Sequence, residues 1–77
     1  MRKLFVHKTV IGSFYIAEQD GRFHPLFRDE NLGNYATSQE EAVDDLTRGH
    51  LLNSVAGVDT ASLAIPNRLQ GWARLVF

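Results

Sequence analysis

Ser13-Phe14-Tyr15-Ile16-Ala17-Glu18, Asp20-Gly21, Arg22-Phe23-His24-Pro25-Leu26-Phe27-Arg28 is the stretch that decides the fold. Phe14 and Ile16 share one face of an extended segment, and Tyr15 and Ala17 the other. Both faces are largely apolar, as expected of a central strand. Asp-Gly suits a two-residue hairpin turn because both residues tolerate positive φ. In the segment that follows, Phe23, Pro25 and Phe27 face one way, and Arg22, His24, Leu26 and Arg28 the other. Pro25 has no N–H to give to a ladder, so it belongs at an edge, at a bulge or with its nitrogen turned away from the neighbouring strand.

Working outward, residues 3–10 read as another strand, with Leu4 and Val6 opposed to Phe5 and His7, and Val10-Ile11-Gly12 carries a turn or bulge. Residues 29–34 form a polar loop, and Tyr35-Ala36 suits a brief third pairing. Ser38 is a good helix N-cap, and Glu41 three residues on completes a capping box. The helix buries Ala42, Val43 and Leu46 on one face and stops at Gly49, a plausible residue just past its end. In the tail, Leu51 and Leu52 turn back on the core, and Asp59 caps a single turn through Thr60 and Leu63. Ile65 should be extended before Pro66, which opens a second short helix running to Trp72. Leu75-Val76-Phe77 suits a last strand or an apolar patch buried by a partner. The expected fold class is α+β: an antiparallel β-meander of three to four strands, one helix packed on its face, and a short helical, partly irregular C-terminal tail.

The chain has 77 residues, enough for one domain spanning residues 1–77. Domains this small often need a staple, and the absence of cysteine rules out disulfides and thiolate-bound zinc. Tight packing or self-association remains. Apolar runs are too short for a signal peptide or a membrane helix, so the expectation is a soluble cytoplasmic protein with no membrane contact. The net charge of −1 is unevenly placed. Residues 1–28 carry Arg2, Lys3, Lys8, Arg22 and Arg28 against Glu18 and Asp20; residues 29–45 carry Asp29, Glu30, Glu40, Glu41, Asp44 and Asp45 with no base. A helix that tracks phosphates should have the opposite sign.

Phe14-Tyr15-Ile16-Ala17 followed by Thr37-Ser38-Gln39-Glu40-Glu41-Ala42 resembles the layout of the HicB-like family of small partner proteins. The likeness covers roughly the middle half of the chain and implies a protein that acts by binding. The chain departs from that family in lacking a Pro-Gly-Cys-type second strand, in a helix that stops at Gly49, and in having no evident C-terminal DNA-binding module. Over nearly its whole length, the chain is also similar to a group of short bacterial proteins without an assigned activity. That similarity is carried by residues 12–17, 21–24, 35–37 and 41–46 and by Leu63-Ala64-Ile65-Pro66, Leu69 and Trp72.

Four features could carry chemistry. Glu40 and Asp44, and Glu41 and Asp45, stand one helical turn apart, so each pair could grip Mg²⁺ or Ca²⁺. No third ligand or calcium-loop spacing accompanies them, and acidic residues at a helix N-terminus are favourable in themselves. A docking face for a basic partner is the better reading. His7, His24 and His50 fit no metal-binding spacing. If the first and third strands flank the second, His7 and His24 could share a sheet face and, with a carboxylate, make a polar acid–base site. Phe5, Tyr15 and Phe23 beside Arg22, Arg28, Lys3 and Lys8 could stack on a single-stranded nucleic acid, although a chain this short must bury most of its aromatics. Trp72 is a core anchor, or, if exposed, an interface anchor.

No serine lies in a Gly-x-Ser-x-Gly elbow, and every glycine stands outside a phosphate-binding loop. The expectation is therefore not an enzyme, with no cofactor and no metal. The leading reading is a small interaction protein that self-associates or binds a protein partner through Glu40, Glu41, Asp44, Asp45, Trp72, Val76 and Phe77. One alternative is an antitoxin-like regulatory protein with possible nucleic-acid contact. Another is a small-molecule-binding protein using His7 and His24.

Overall fold

The computed structural model describes residues 1–32, 35–49, 51 and 60–75. The expected packing of Leu52, the cap at Asp59, the third histidine His50 and the apolar end Val76-Phe77 lie outside the described residues. Five antiparallel strands are present: β1 (Arg2–Thr9), β2 (Gly12–Gln19), β3 (Arg22–Phe27), β4 (Glu30–Asn31) and β5 (Ala73–Arg74). They form one sheet in the order β4-β3-β2-β1-β5. With one helix, α1 (Gln39–Thr47), packed on it, the architecture is α+β. The two additional strands are two-residue edge pieces, and β5 pairs with β1 through Phe5↔Arg74 and Val6↔Ala73.

Both long hairpins close through two-residue turns. Thr9 pairs with Gly12 around Val10 and Ile11, and Gln19 pairs with Arg22 around Asp20 and Gly21. Asp20 (φ 54°) and Gly21 (φ 77°) both take left-handed geometry, as a turn that follows the natural twist of a hairpin requires. With Gln19↔Arg22 closing the hairpin, the backbone nitrogens of Phe23, Pro25 and Phe27 point away from β2. Phe23 uses its N–H to bond the Ala36 carbonyl (2.9 Å), and Pro25 falls in the next such position, where no donor to β2 is required. Tyr35-Ala36 contributes this single bridge rather than a strand. Between Lys3 and Phe5 the β1–β2 register slips by one residue, making a bulge at Leu4.

Ser38 caps α1 as its sequence predicts, its Oγ accepting the Glu41 N–H at 3.1 Å. The Glu41 carboxylate does not return to Ser38; Oε2 instead accepts the Thr37 hydroxyl at 3.0 Å. Gly49 at φ 73° ends the helix. Ala42, Val43 and Leu46 pack with Phe14, Ile16, Leu32, Ala36, Ile65 and Trp72 into one core, and Leu51 packs at its margin. The first tail turn is a 3-10 turn, Thr60–Leu63. The second helix expected from Pro66 is reduced to one 3-10 turn, Leu69–Gly71. Arg68 is extended (φ −133°, ψ 145°), and the Pro66 carbonyl accepts the Trp72 indole N–H at 3.0 Å, which takes up the carbonyl that a helix starting there would use.

Candidate functional site

Side chains of directly paired residues on neighbouring strands lie on the same face of a sheet. His7 pairs with Phe14, and Phe14 with Phe27, which places His7 on the face covered by α1. His24 pairs with Ala17 and lies on the opposite face. The first and third strands do flank the second, yet the sheet separates the two histidines, and the proposed His7–His24 polar site does not form. The reason is parity: positions 14 and 17 differ by an odd number, so their side chains point to opposite sides of β2.

His7 has a structural partner instead. Its ring lies 5.7 Å from that of Trp72, with the planes at 52°. Trp72 is only 6% exposed, so of its two expected roles the core anchor is the one the fold supports.

The acidic residues of α1 are already engaged in part. Asp44 Oδ1 accepts from Arg48 Nε at 2.8 Å, and Glu41 accepts from Thr37. Glu40 and Glu41 are exposed, whereas Asp44 and Asp45 are half-buried. Among the described residues, no group of three or more His, Cys, Asp or Glu side chains is placed to hold a metal ion. No helix among them is long and apolar enough to cross a membrane.

The aromatic set considered for nucleic acid divides between the faces. Phe5 pairs with Ile16, and Phe23 with Glu18, so both lie on the α1 side; Tyr15 alone lies on the other. Arg28 is turned aside, its Nη2 donating to the Ile11 carbonyl at 3.2 Å.

That other face was not singled out by sequence reasoning. Val6, Tyr15 and Leu26 are paired in a row across β1, β2 and β3, and Ala73 extends the row onto β5. Among the described residues no helix or turn lies over it. Leu26 (4% exposed) and Ala17 (0%) are nonetheless buried, outside the main core. Basic groups surround the row. Lys3 Nζ sits 4.3 Å from the Tyr15 ring centre and bonds Asp29 Oδ1 at 2.6 Å. This contact holds the Asp29 carboxyl below its ordinary pKa, first through the hydrogen bond and then through the ammonium charge. Lys8 pairs with Ser13 on the same face and is exposed. The Arg22 guanidinium lies 4.5 Å from the ring centre of Tyr35, which is 57% exposed. The signal that could have revealed this face was the two hairpin turns: once their lengths are fixed, every facing pair follows.

The fold and its surfaces thus define a class: an α+β sheet with an acidic helix packed on one side and basic and aromatic groups on the other. Comparison with protein-family models, with characterised proteins and with solved structures found no match for the chain.

Proposed function

We propose that this is a small non-enzymatic binding protein whose working surface is the sheet face opposite α1, and that its partner is a protein with an acidic surface. One observation carries the reading: α1 and the buried Trp72 pack on one side of the sheet, while the other side keeps the row Val6, Tyr15, Leu26 bordered by Lys3, Lys8 and Arg22. An apolar centre within a polar, charged rim is the anatomy of a protein interface. The sign of the rim selects acidic partners and makes association sensitive to salt. Two copies meeting through this face would bring like charges together, which favours a foreign partner over a second copy.

The test is amide-shift mapping of the full-length isotope-labelled chain with an oligoglutamate peptide as probe, beside light scattering across a concentration series. The expected result is saturable shifts at Val6, Tyr15 and Leu26 that fade with added salt, from a protein that stays monomeric. Shifts confined to α1, or none, would overturn the reading. A mass that climbs with concentration would replace the foreign partner with a second copy.

A second reading, contact with a single-stranded nucleic acid, is favoured by the exposed Tyr35 with Arg22 stacked on it. Bases stack on such platforms without sequence preference. Oligothymidylate displacing oligoglutamate, with shifts centred on Tyr35, would select this alternative.

A further inference from the structure

On the opposite side from the proposed interface, a concavity of about 550 Å³ opens between the first turn of α1, the bulged start of β1, the end of β2 and β5. Phe5, Leu4 and Leu75 supply its apolar lining; Arg2, Arg74, Glu18 and Gln39 supply its polar groups. The topology explains why these groups converge. The slip at Leu4 sets Arg2 opposite Glu18, and the pairing Phe5↔Arg74 brings the β5 guanidinium to the same side of the sheet. Arg2 Nη2 lies 3.7 Å from Glu18 Oε1, a loose pair that leaves most of the donors of the guanidinium to other partners. The Arg74 side chain makes no hydrogen bond or ion pair among the described residues. The site therefore carries one carboxylate and two guanidinium groups, and that of Arg74 has no counter-charge among the described residues.

We infer that this concavity binds a carboxylate borne on a compact apolar body. The carboxylate forks onto Arg74, a geometry that suits guanidinium better than ammonium. The apolar body lies against Phe5 and Leu75, and the Gln39 carboxamide and the Arg2–Glu18 pair close the polar side. The concavity has room for a small molecule, and its lining is more polar than apolar, with Phe5, Leu4 and Leu75 as the apolar part. The same chemistry is offered by a free organic acid and by the C-terminal residue of a peptide ending in leucine.

The experiment uses the full-length labelled chain and four probes: 4-phenylbutyrate, its neutral amide, inorganic phosphate, and a short acetylated peptide ending in leucine with a free carboxylate. The expected result is saturable shifts at Phe5, Leu75 and the Arg74 Nε–H with phenylbutyrate and none with the amide. Arg74→Gln weakens binding at least about tenfold, a loss of about 1.4 kcal/mol, and Arg74→Lys has an intermediate effect. Arg74 is exposed, and its side chain has no partner among the described residues, so both variants should keep the parent melting curve, which separates lost binding from lost folding. If the leucine peptide binds more tightly than phenylbutyrate, the natural source is a chain terminus; the reverse order points to a free acid. Equal binding by inorganic phosphate, binding of the neutral amide, or no effect of Arg74→Gln would each overturn the proposal.

Discussion

His7 and Trp72 lie ring to ring, 5.7 Å between centres, and join β1 to the residue that leads into β5. The indole is held from both sides, by the imidazole and by its own N–H bonded to the Pro66 carbonyl at 3.0 Å. Through this contact the tail becomes part of the core rather than an appendage.

Trp72→Ala should therefore cost about 3–5 kcal/mol, the usual loss for emptying a large aromatic site. In a domain whose whole stability is on the order of 5 kcal/mol, that amounts to extensive unfolding. His7→Ala should cost about 1 kcal/mol. Chemical denaturation of both single variants and the double variant measures their coupling; strictly additive losses would show that the rings do not interact.

Thr60 is a buried polar side chain, 3% exposed, and its hydroxyl donates to the Leu46 carbonyl at 2.7 Å. The Leu46 carbonyl also accepts the Gly49 N–H at 3.3 Å, so Thr60 gives it a second, shorter bond that ties the tail to the end of α1. Thr60→Val keeps the shape and removes the donor, so it should cost about 1 kcal/mol. A melting temperature unchanged from the parent would show that the bond contributes nothing.

At Gly71 a Cβ would clash with the Cβ and Cγ of Pro66. Gly71→Ala should destabilise by about 1–3 kcal/mol through overpacking. Pro66→Gly should restore part of that loss when added to it, because the clash is with the Pro66 Cβ and Cγ, both of which that change removes. If the double variant is simply the sum of the two single variants, steric contact is not the cause.

The Lys3–Asp29 contact predicts a pH dependence. Asp29 titrates below its ordinary value of 3.8 in the folded chain, so the pairing favours the ionised carboxylate. Its stabilising contribution is complete above the ordinary value and is lost as pH falls through the lowered one. Asp29 is 94% exposed at its side chain, so solvent screens the pair and the contribution is small. Side-chain NMR titration should find the Asp29 midpoint below 3.8, and Lys3→Met should raise it. An unmoved midpoint would mean that the ion pair is not held in solution.

The middle of the chain was legible because its signals are local. Asp20-Gly21 set the hairpin, Ser38 and Glu41 set the helix start, and Gly49 its end, each through the geometry of a few neighbouring residues. What was missed depends on pairing between distant segments. The position of β5 follows from contact with β1, and no motif in residues 69–75 announces it. Strand order alone allows the two histidines to share a face; counting residues through the two hairpin turns separates them. Thr60 was read as part of an isolated turn because its partner, the Leu46 carbonyl, lies well back along the chain. The concavity at Arg74 depends on the Leu4 bulge, a register slip without a sequence signature of its own.

The two-residue turns also bear on how the chain reaches this state. Strands β1, β2 and β3 are joined by contacts between near neighbours in sequence, so they can pair while little else is ordered, and such contacts close at small entropic cost. The β5 pairing and the His7–Trp72 contact must wait for the tail to return across most of the chain. A folding nucleus in the meander, with the tail docking after the main barrier, makes the last strand a latch. Weakening it should speed unfolding while leaving the folding rate nearly unchanged.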